Sequence, residues 1–290
     1  MKVFVTGGTG FIGSAVVKEL VAGGHDVVGL ARSAAGRRAL EALGASALDG
    51  DLEDAGSLRR GAEAADAAIH MAFVHNFAEF AAAGQTDKRA IEAIGEALAL
   101  TGKQFVVTSG VPGGESGHVV TERDKSGDFP RMSESAALPF AERGVRVTLV
   151  RPSRFVYGEG LANGFIAALI GTAAQKGVSA YVGDGGNRIH AVNVLDLARL
   201  YLLALEKGVS AVYQGVGDGA VRFRDVAEAI GARLGIPTVS ISAEQAAGHF
   251  GFLGQIAGAD NPASSELTQA ALGWGKTRPS LLETLRQERA

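Results

Sequence analysis

The sequence predicts an α/β fold: a doubly wound parallel sheet with helices on both faces, followed by a smaller lobe. Three observations point there. Short β-branched runs alternate with longer stretches whose apolar residues recur at helical spacing. Those runs are apolar throughout, as strands buried on both faces are. A glycine-rich turn, "TGGTGFIG", joins the first run to the first helical stretch.

In chain order, "KVFVTG" is the first strand, and "FIGSAVVKELVAGG" a helix stopped by Gly23 and Gly24. "HDVVGLA" is a second strand, "ASALDGD" a third, "ADAAIHMAF" a fourth, "KQFVVTSG" a fifth and "VRVTLVRPS" a sixth. The clearest helices between them are "TDKRAIEAIGEALALTG" and "MSESAALPFAERG". After Arg151-Pro152 the rhythm loosens. Helices are expected at "NGFIAALIGTAAQKG", "VLDLARLYLLALEKG", "RFRDVAEAIGARLG", "SAEQAAGHFGFLGQI" and "SSELTQAALGW", with short strands at "SAYVG", "AVYQGVG" and "TVSIS". The expected division is a core over 1–155 and a lobe over 156–290, with part of 188–216 returning to the core.

Composition removes several function classes. The 290 residues are 47% hydrophobic and 20% charged, enough for a large core in an ordinary water-facing protein. The net charge of −3 is spread without long runs of one sign, which argues against nucleic acid and anionic membranes as partners. With no cysteine, disulfides, thiolate catalysis and Cys-ligated metals are excluded. Among the histidines only His70 and His75 are closely spaced, and no metal is expected there. No apolar run reaches the ~18 residues of a membrane helix, and no secretory leader is seen, so a cytoplasmic location is expected.

The glycine turn carries the strongest chemistry. Gly8, Gly10 and Gly13 form G-x-G-x-x-G between a strand and a helix, and Gly7 adds a G-x-x-G-x-x-G reading. A backbone that turns tightly and admits a pyrophosphate to its N–H groups cannot carry side chains there. Gly7, Gly10, Phe11, Ile12 and Gly13 are therefore expected to bind a dinucleotide, its phosphates at the positive end of the helix. This makes 1–155 a Rossmann-type dinucleotide-binding core and 156–290 mainly a substrate-binding lobe. The second strand ends "GLARS": where an NAD site usually has a carboxylate for the ribose, this chain has Ala31, then Arg32 and Ser33, with Arg37 and Arg38 behind. An arginine grips a 2′-phosphate that a carboxylate would repel, so the expected cofactor is NADP (NADPH).

These residues resemble the extended short-chain dehydrogenase/reductases, the NAD-dependent epimerase/dehydratase group, over nearly the whole chain. "TGGTGFIG" is similar to that group's cofactor loop. Asp51-Leu52 looks like its adenine-contacting Asp-Leu pair, and "HMAF", with Met71 and Ala72, like its segment beside the cofactor after strand four. "VVTSG" is similar to strand five, whose Ser, here Ser109, would polarise a substrate carbonyl. "VTERD", "LVRPSRFVYGEG", "VNVLDLARL" and "LGWGKTRPSLLETL" resemble later family segments.

The resemblance also implies a Tyr-x-x-x-Lys pair on the helix opened by "PRMSESAAL", the tyrosine exchanging a proton with substrate and the lysine tuning it. Here Arg131 and Ser135, or Met132 and Ala136, take those places, and none of the chain's four tyrosines lies on this helix. Substitutes for the missing pair are Arg131 as an oxyanion-stabilising charge, Ser109 holding the carbonyl alone, and Tyr157 or His118 as proton donor from a loop. Each has a structural alternative. Arg131 would pair with Asp128 or Glu134, Ser109 would close a turn, Tyr157 would pack, and His118 would be solvated. Asp196 reads as a helix N-cap. The expected function is an NADP(H)-dependent oxidoreductase acting on a carbonyl or alcohol of a small molecule. The alternative is a non-catalytic NADP(H) sensor, with sugar-nucleotide epimerase or dehydratase third.

Overall fold

The computed structural model describes residues 1–75, 79–127 and 131–287. The first half is regular alternation. Strands β1 (Lys2–Thr6), β2 (Asp26–Ala31), β3 (Ser46–Asp49), β4 (Ala67–His70), β5 (Gln104–Thr108) and β6 (Arg146–Pro152) are separated by helices. These are α1 (Phe11–Ala22), α2 (Ala34–Ala42), α3 (Ala55–Glu63), α4 (Phe80–Leu98) and the short α5 (Ser133–Ala137).

The lobe begins at β7 (Phe155–Tyr157). There follow α6 (Gly164–Lys176), β8 (Ser179–Val182), β9 (Arg188–Asn193), α7 (Val194–Lys207), β10 (Ala211–Gly215) and β11 (Asp218–Arg222). The chain ends with α8 (Phe223–Leu234), β12 (Thr238–Ile241), α9 (Ala243–Phe250), α10 (Gly254–Gly258), α11 (Glu266–Leu272) and α12 (Leu281–Gln287).

The main sheet has seven parallel strands in the order β10-β6-β5-β4-β1-β2-β3. Order reverses between β1 and β4, the topological switch point at which such sheets open a crevice. One face packs on α1 and α7 through Val16, Val17, Leu20, Leu197 and Tyr201. The other packs on α3, α4 and α5 through Leu58, Ile91, Ile94 and Ala137, and on Phe140 just beyond α5. Each such fully buried aliphatic side chain contributes ~1.5–3 kcal/mol. A three-stranded sheet (β11-β9-β7) and a two-stranded one (β12-β8) build the lobe around Phe155, Ile166 and Phe223. The segment "AVYQGVG" thus supplies the seventh strand of the main sheet, as β10.

Two expected helices are shorter than their sequence patterns suggest. "MSESAALPFAERG" is α-helical only over Ser133–Ala137 and continues as a 3-10 turn over Leu138–Arg143. Pro139 has no N–H for the helical ladder and its ring crowds the preceding turn. "SAEQAAGHFGFLGQI" breaks at Gly251, whose φ of +59° lies in the left-handed region. Pro130 and Asp128, expected at the mouth of the first of these helices, lie outside the described residues. Among the described residues no helix is long and apolar enough to cross a membrane.

Candidate active site

The turn between β1 and α1 is shaped by three glycines with three different tasks. Gly7 has φ +76°, and a Cβ on it would lie 2.6 Å from the Ala72 backbone nitrogen, so only glycine lets the turn close on the segment after β4. A Cβ on Gly13 would strike the Gly7 carbonyl oxygen, so Gly13 permits the close packing of α1 on the strand. Gly10 differs: a Cβ there meets nothing nearer than the Gly7 oxygen at 3.4 Å. The spare space at Gly10, beside a helix end that no side chain caps, leaves the N–H groups of Phe11, Ile12 and Gly13 for an anion. Gly8, by contrast, is buried against Leu40 and Val17.

That difference makes a prediction. Gly10→Val is expected to abolish dinucleotide binding in a fluorescence titration while leaving the thermal midpoint near wild type. Gly13→Val is expected to lower the midpoint itself, because backbone must move.

Next to this turn an open groove of about 490 Å³ is lined by Ala31, Arg32, Ser33, Asp49, Asp51 and Asp54 among others. Arg32 is exposed and has no carboxylate partner among the described residues. Arg37, by contrast, is tied to Asp49 at 2.6 Å and to the Ala47 carbonyl at 3.3 Å, fastening α2 to β3. Ser33 caps α2 by accepting the Gly36 N–H at 3.1 Å. Asp51 accepts the Glu53 N–H at 3.0 Å, and Leu52 packs on the core. Met71 donates its N–H to the Thr6 carbonyl at 3.2 Å, and Ala72 meets Gly7, so both border the glycine turn.

Further along the C-terminal edge of the sheet, a buried polar chain leads to Arg131. Thr6 Oγ1 lies 2.8 Å from His70 Nδ1, His70 Nε2 3.1 Å from Asp87, and the Ser133 hydroxyl donates to Asp87 at 2.6 Å. Arg131 Nε then donates to Ser133 at 3.0 Å, its Nη2 to the Thr108 carbonyl at 3.1 Å, and its guanidinium lies 4.6 Å from the centre of the Phe73 ring. Thr6, His70 and Asp87 are all satisfied if the His70 proton is on Nε2: Thr6 donates to Nδ1, His70 to Asp87, and Asp87 only accepts. Burial works against the Asp87 charge, but the His70 bond and the Arg131 charge hold its carboxyl below the usual range. Burial likewise draws the Arg131 pKa down, opposed by Asp87. His70 itself, the first residue of "HMAF", is wholly buried.

Two expected catalytic residues are placed otherwise. Ser109 is 5% exposed and gives its single hydroxyl proton to Glu134 at 2.6 Å, which leaves none for a substrate carbonyl. Glu134 is in turn gripped by Arg151 at 2.7 and 2.8 Å, so it is not the partner of Arg131. Tyr157 is 1% exposed in the lobe core, its hydroxyl between Asp218 at 3.1 Å and the Pro279 carbonyl at 2.8 Å. Burial and the Asp218 charge push its pKa far up; buried in strand β7, it does not lie on a loop at the cleft edge. His118 is exposed and bound to Asp124 at 2.8 Å. Asp196 is not a cap either. Asn193 caps α7 by accepting the Leu195 N–H at 2.9 Å, while Asp196 holds the C-terminal segment through the N–H groups of Thr277 and Arg278, both at 3.1 Å.

Sequence reasoning missed the Thr6–His70–Asp87–Ser133 chain and the Glu134–Arg151 pair, whose partners are far apart in sequence. The Asn193 cap did have a local signal, an asparagine directly before a helical run.

Comparison with known proteins bears on the family. Residues 3–215 match the model of the NAD dependent epimerase/dehydratase family. An uncharacterized protein of Schizosaccharomyces pombe is 41% identical over 290 residues, covering 98% of each chain. A 4-hydroxy-2-methyl-3-oxo-4-farnesyl-3,4-dihydroquinoline-1-oxide ketoreductase of Stigmatella aurantiaca is 27% identical, over 87% of this chain and 80% of that one. Among solved structures, MoeE5 in complex with UDP-glucose and NAD superposes with a TM-score of 0.76 at 25% identity, over 98% of this chain and 96% of the other. A glycine turn at the switch point of a seven-stranded parallel sheet thus sits in a chain that belongs to the NAD dependent epimerase/dehydratase family.

Proposed function

We propose that this protein is an NADP(H)-dependent oxidoreductase that interconverts a carbonyl and an alcohol on a small organic molecule. Residues 1–155 hold the cofactor, and 156–290 mainly the substrate, with part of 188–216 serving the core. The observation that carries the reading is Arg131. Its guanidinium is fixed at the C-terminal end of β5 by Ser133 and Thr108, while Nη1 makes no hydrogen bond to the described residues. A fixed positive charge with a free donor at this edge suits an oxygen that becomes negative as it is reduced. The nicotinamide, when bound, supplies the hydride. Arg131 remains protonated at neutral pH, so the proton that completes the alcohol comes from water.

The cofactor preference rests on Arg32, Ser33 and the capped start of α2, which together face the groove where an adenosine 2′-phosphate would lie. Titration with NADPH and NADH tests it. Arg32→Ala is expected to weaken NADPH binding by ~1.5–3 kcal/mol and to leave NADH nearly unchanged. Equal affinities of the wild type for both cofactors would remove the argument. A panel of ketones and aldehydes, followed by loss of NADPH absorbance, tests turnover. The second reading, a cofactor-binding sensor without turnover, is favoured by Ser109 and Tyr157 both being committed to structural bonds.

A further inference from the structure

Some arginines of this protein are answered by a carboxylate. Arg151 has Glu134 and Arg188 has Asp260, at 2.7 and 2.8 Å. Arg154 is not. It is half-buried, yet among the described residues its guanidinium has neither an ion-pair partner nor a hydrogen bond. Burial alone draws its pKa down, with no neighbouring carboxylate to oppose this. Burial and the Arg154 charge push the neighbouring His190 down to about 3, so that imidazole is neutral at physiological pH. A guanidinium held partly out of water with no counter-charge is costly unless a ligand completes it.

The backbone around Arg154 is fixed on every side. The Ser153 hydroxyl donates to the Gly215 carbonyl at 2.9 Å, and the Arg154 N–H points at His190 Nδ1 at 3.3 Å. Phe155 is locked into the lobe sheet opposite Ala191. Arg154 therefore stands at the crossing from the main sheet to the lobe, two residues beyond the end of β6. Arg131 is anchored at the end of the adjacent strand, β5, where Thr108 pairs with Val150. Neighbouring strands are ~4.8 Å apart.

We propose that Arg154 is the anchor for a carboxylate or phosphate carried by the substrate. This deepens the oxidoreductase reading and rests on it for the identity of the anion's carrier. The substrate class is then a small oxo acid or keto phosphate, its anion on Arg154 and its carbonyl toward Arg131. The forked guanidinium suits either oxyanion through paired N–H donors.

The test uses thermal midpoints of the NADPH-loaded protein at constant ionic strength. The probes are oxamate, its uncharged analogue oxamide, and inorganic phosphate. Oxamate or phosphate is expected to raise the wild-type midpoint by about 2 °C or more at saturation, and oxamide to leave it unchanged. The arm that responds tells carboxylate from phosphate. Arg154→Gln is expected to lose the response while retaining NADPH affinity. Without probes its midpoint should equal or exceed that of the wild type, since an uncompensated charge has gone. A response in Arg154→Gln equal to wild type, a wild type indifferent to both anions or responding equally to oxamide, or a marked fall in the variant's midpoint would each overturn the proposal. If NADPH itself does not bind, the cofactor reading fails separately, and the same anion titrations are read in cofactor-free Arg32→Ala, where the other anion site is silenced.

Discussion

Arg151→Ala is expected to cost ~3–5 kcal/mol of folding stability, the largest loss among the single substitutions considered. Arg151 is 2% exposed and Glu134 8% exposed. The two meet through paired bonds of 2.7 and 2.8 Å, Arg151 also donates to the Asp124 carbonyl at 2.8 Å, and Ser109 adds a third donor to the same carboxylate. Truncation leaves that carboxylate buried with only its hydroxyl donors. In the wild type, burial pushes the Glu134 pKa up, but the bonds from Arg151 and Ser109 more than reverse this and hold it below the usual range. A depressed carboxylate contributes stability that is present above its unfolded pKa and is lost as pH falls through the folded value. Without Arg151 burial prevails, the folded pKa rises above the unfolded one, and the sign inverts. The variant should therefore close part of the gap to wild type between pH 7 and pH 5. Urea unfolding at both pH values measures this. A variant within ~0.5 kcal/mol of wild type at pH 7 would mean that the pair is solvated rather than structural. Replacing both partners, Arg151→Met with Glu134→Leu, should recover much of the loss, since no uncompensated charge remains.

The parts of the fold carried by local pattern were legible, and those carried by distant contacts were not. Strand and helix order followed from apolar runs and glycine stops, since each element must bury a face wherever it sits. The glycine turn was legible in outline. Assigning tasks within it required the Gly7–Ala72 and Gly13–Gly7 approaches, which spacing alone does not reveal. Ser109 shows the limit clearly. A serine at a strand end reads the same whether its proton goes to a ligand or to Glu134, and only the position of α5 decides. Tyr157 is alike: its partners Asp218 and Pro279 lie in segments with no local relation to it. Asp196 was misread as a cap because it follows the true cap, Asn193, within one helical turn. Arg154 lay within a segment singled out for other residues, and an arginine without a partner has no signature in sequence.

Arg131→Ala is expected to lower turnover by ~10²-fold or more while changing NADPH affinity little. Three contacts fix this guanidinium: the Ser133 hydroxyl, the Thr108 carbonyl and the face of Phe73. Ser133 is itself held by the buried Asp87, so the charge is oriented before any substrate arrives. Orientation in advance is what gives a charge more value in the transition state than in the ground state. Arg131→Lys should recover only part of the rate, because one ammonium cannot span Ser133 and Thr108 and still face an oxyanion. Ser109→Ala is the contrast. Its hydroxyl serves Glu134, so the variant should lose ~1 kcal/mol of stability and keep turnover within a few-fold of wild type. Steady-state kinetics on any carbonyl that the panel reduces, with unfolding measured in parallel, separates the two residues. A wild-type rate in Arg131→Ala would make α5 a scaffold and move the chemistry elsewhere on the cleft. Tight NADPH binding with no turnover across the panel would instead favour the cofactor-sensor reading.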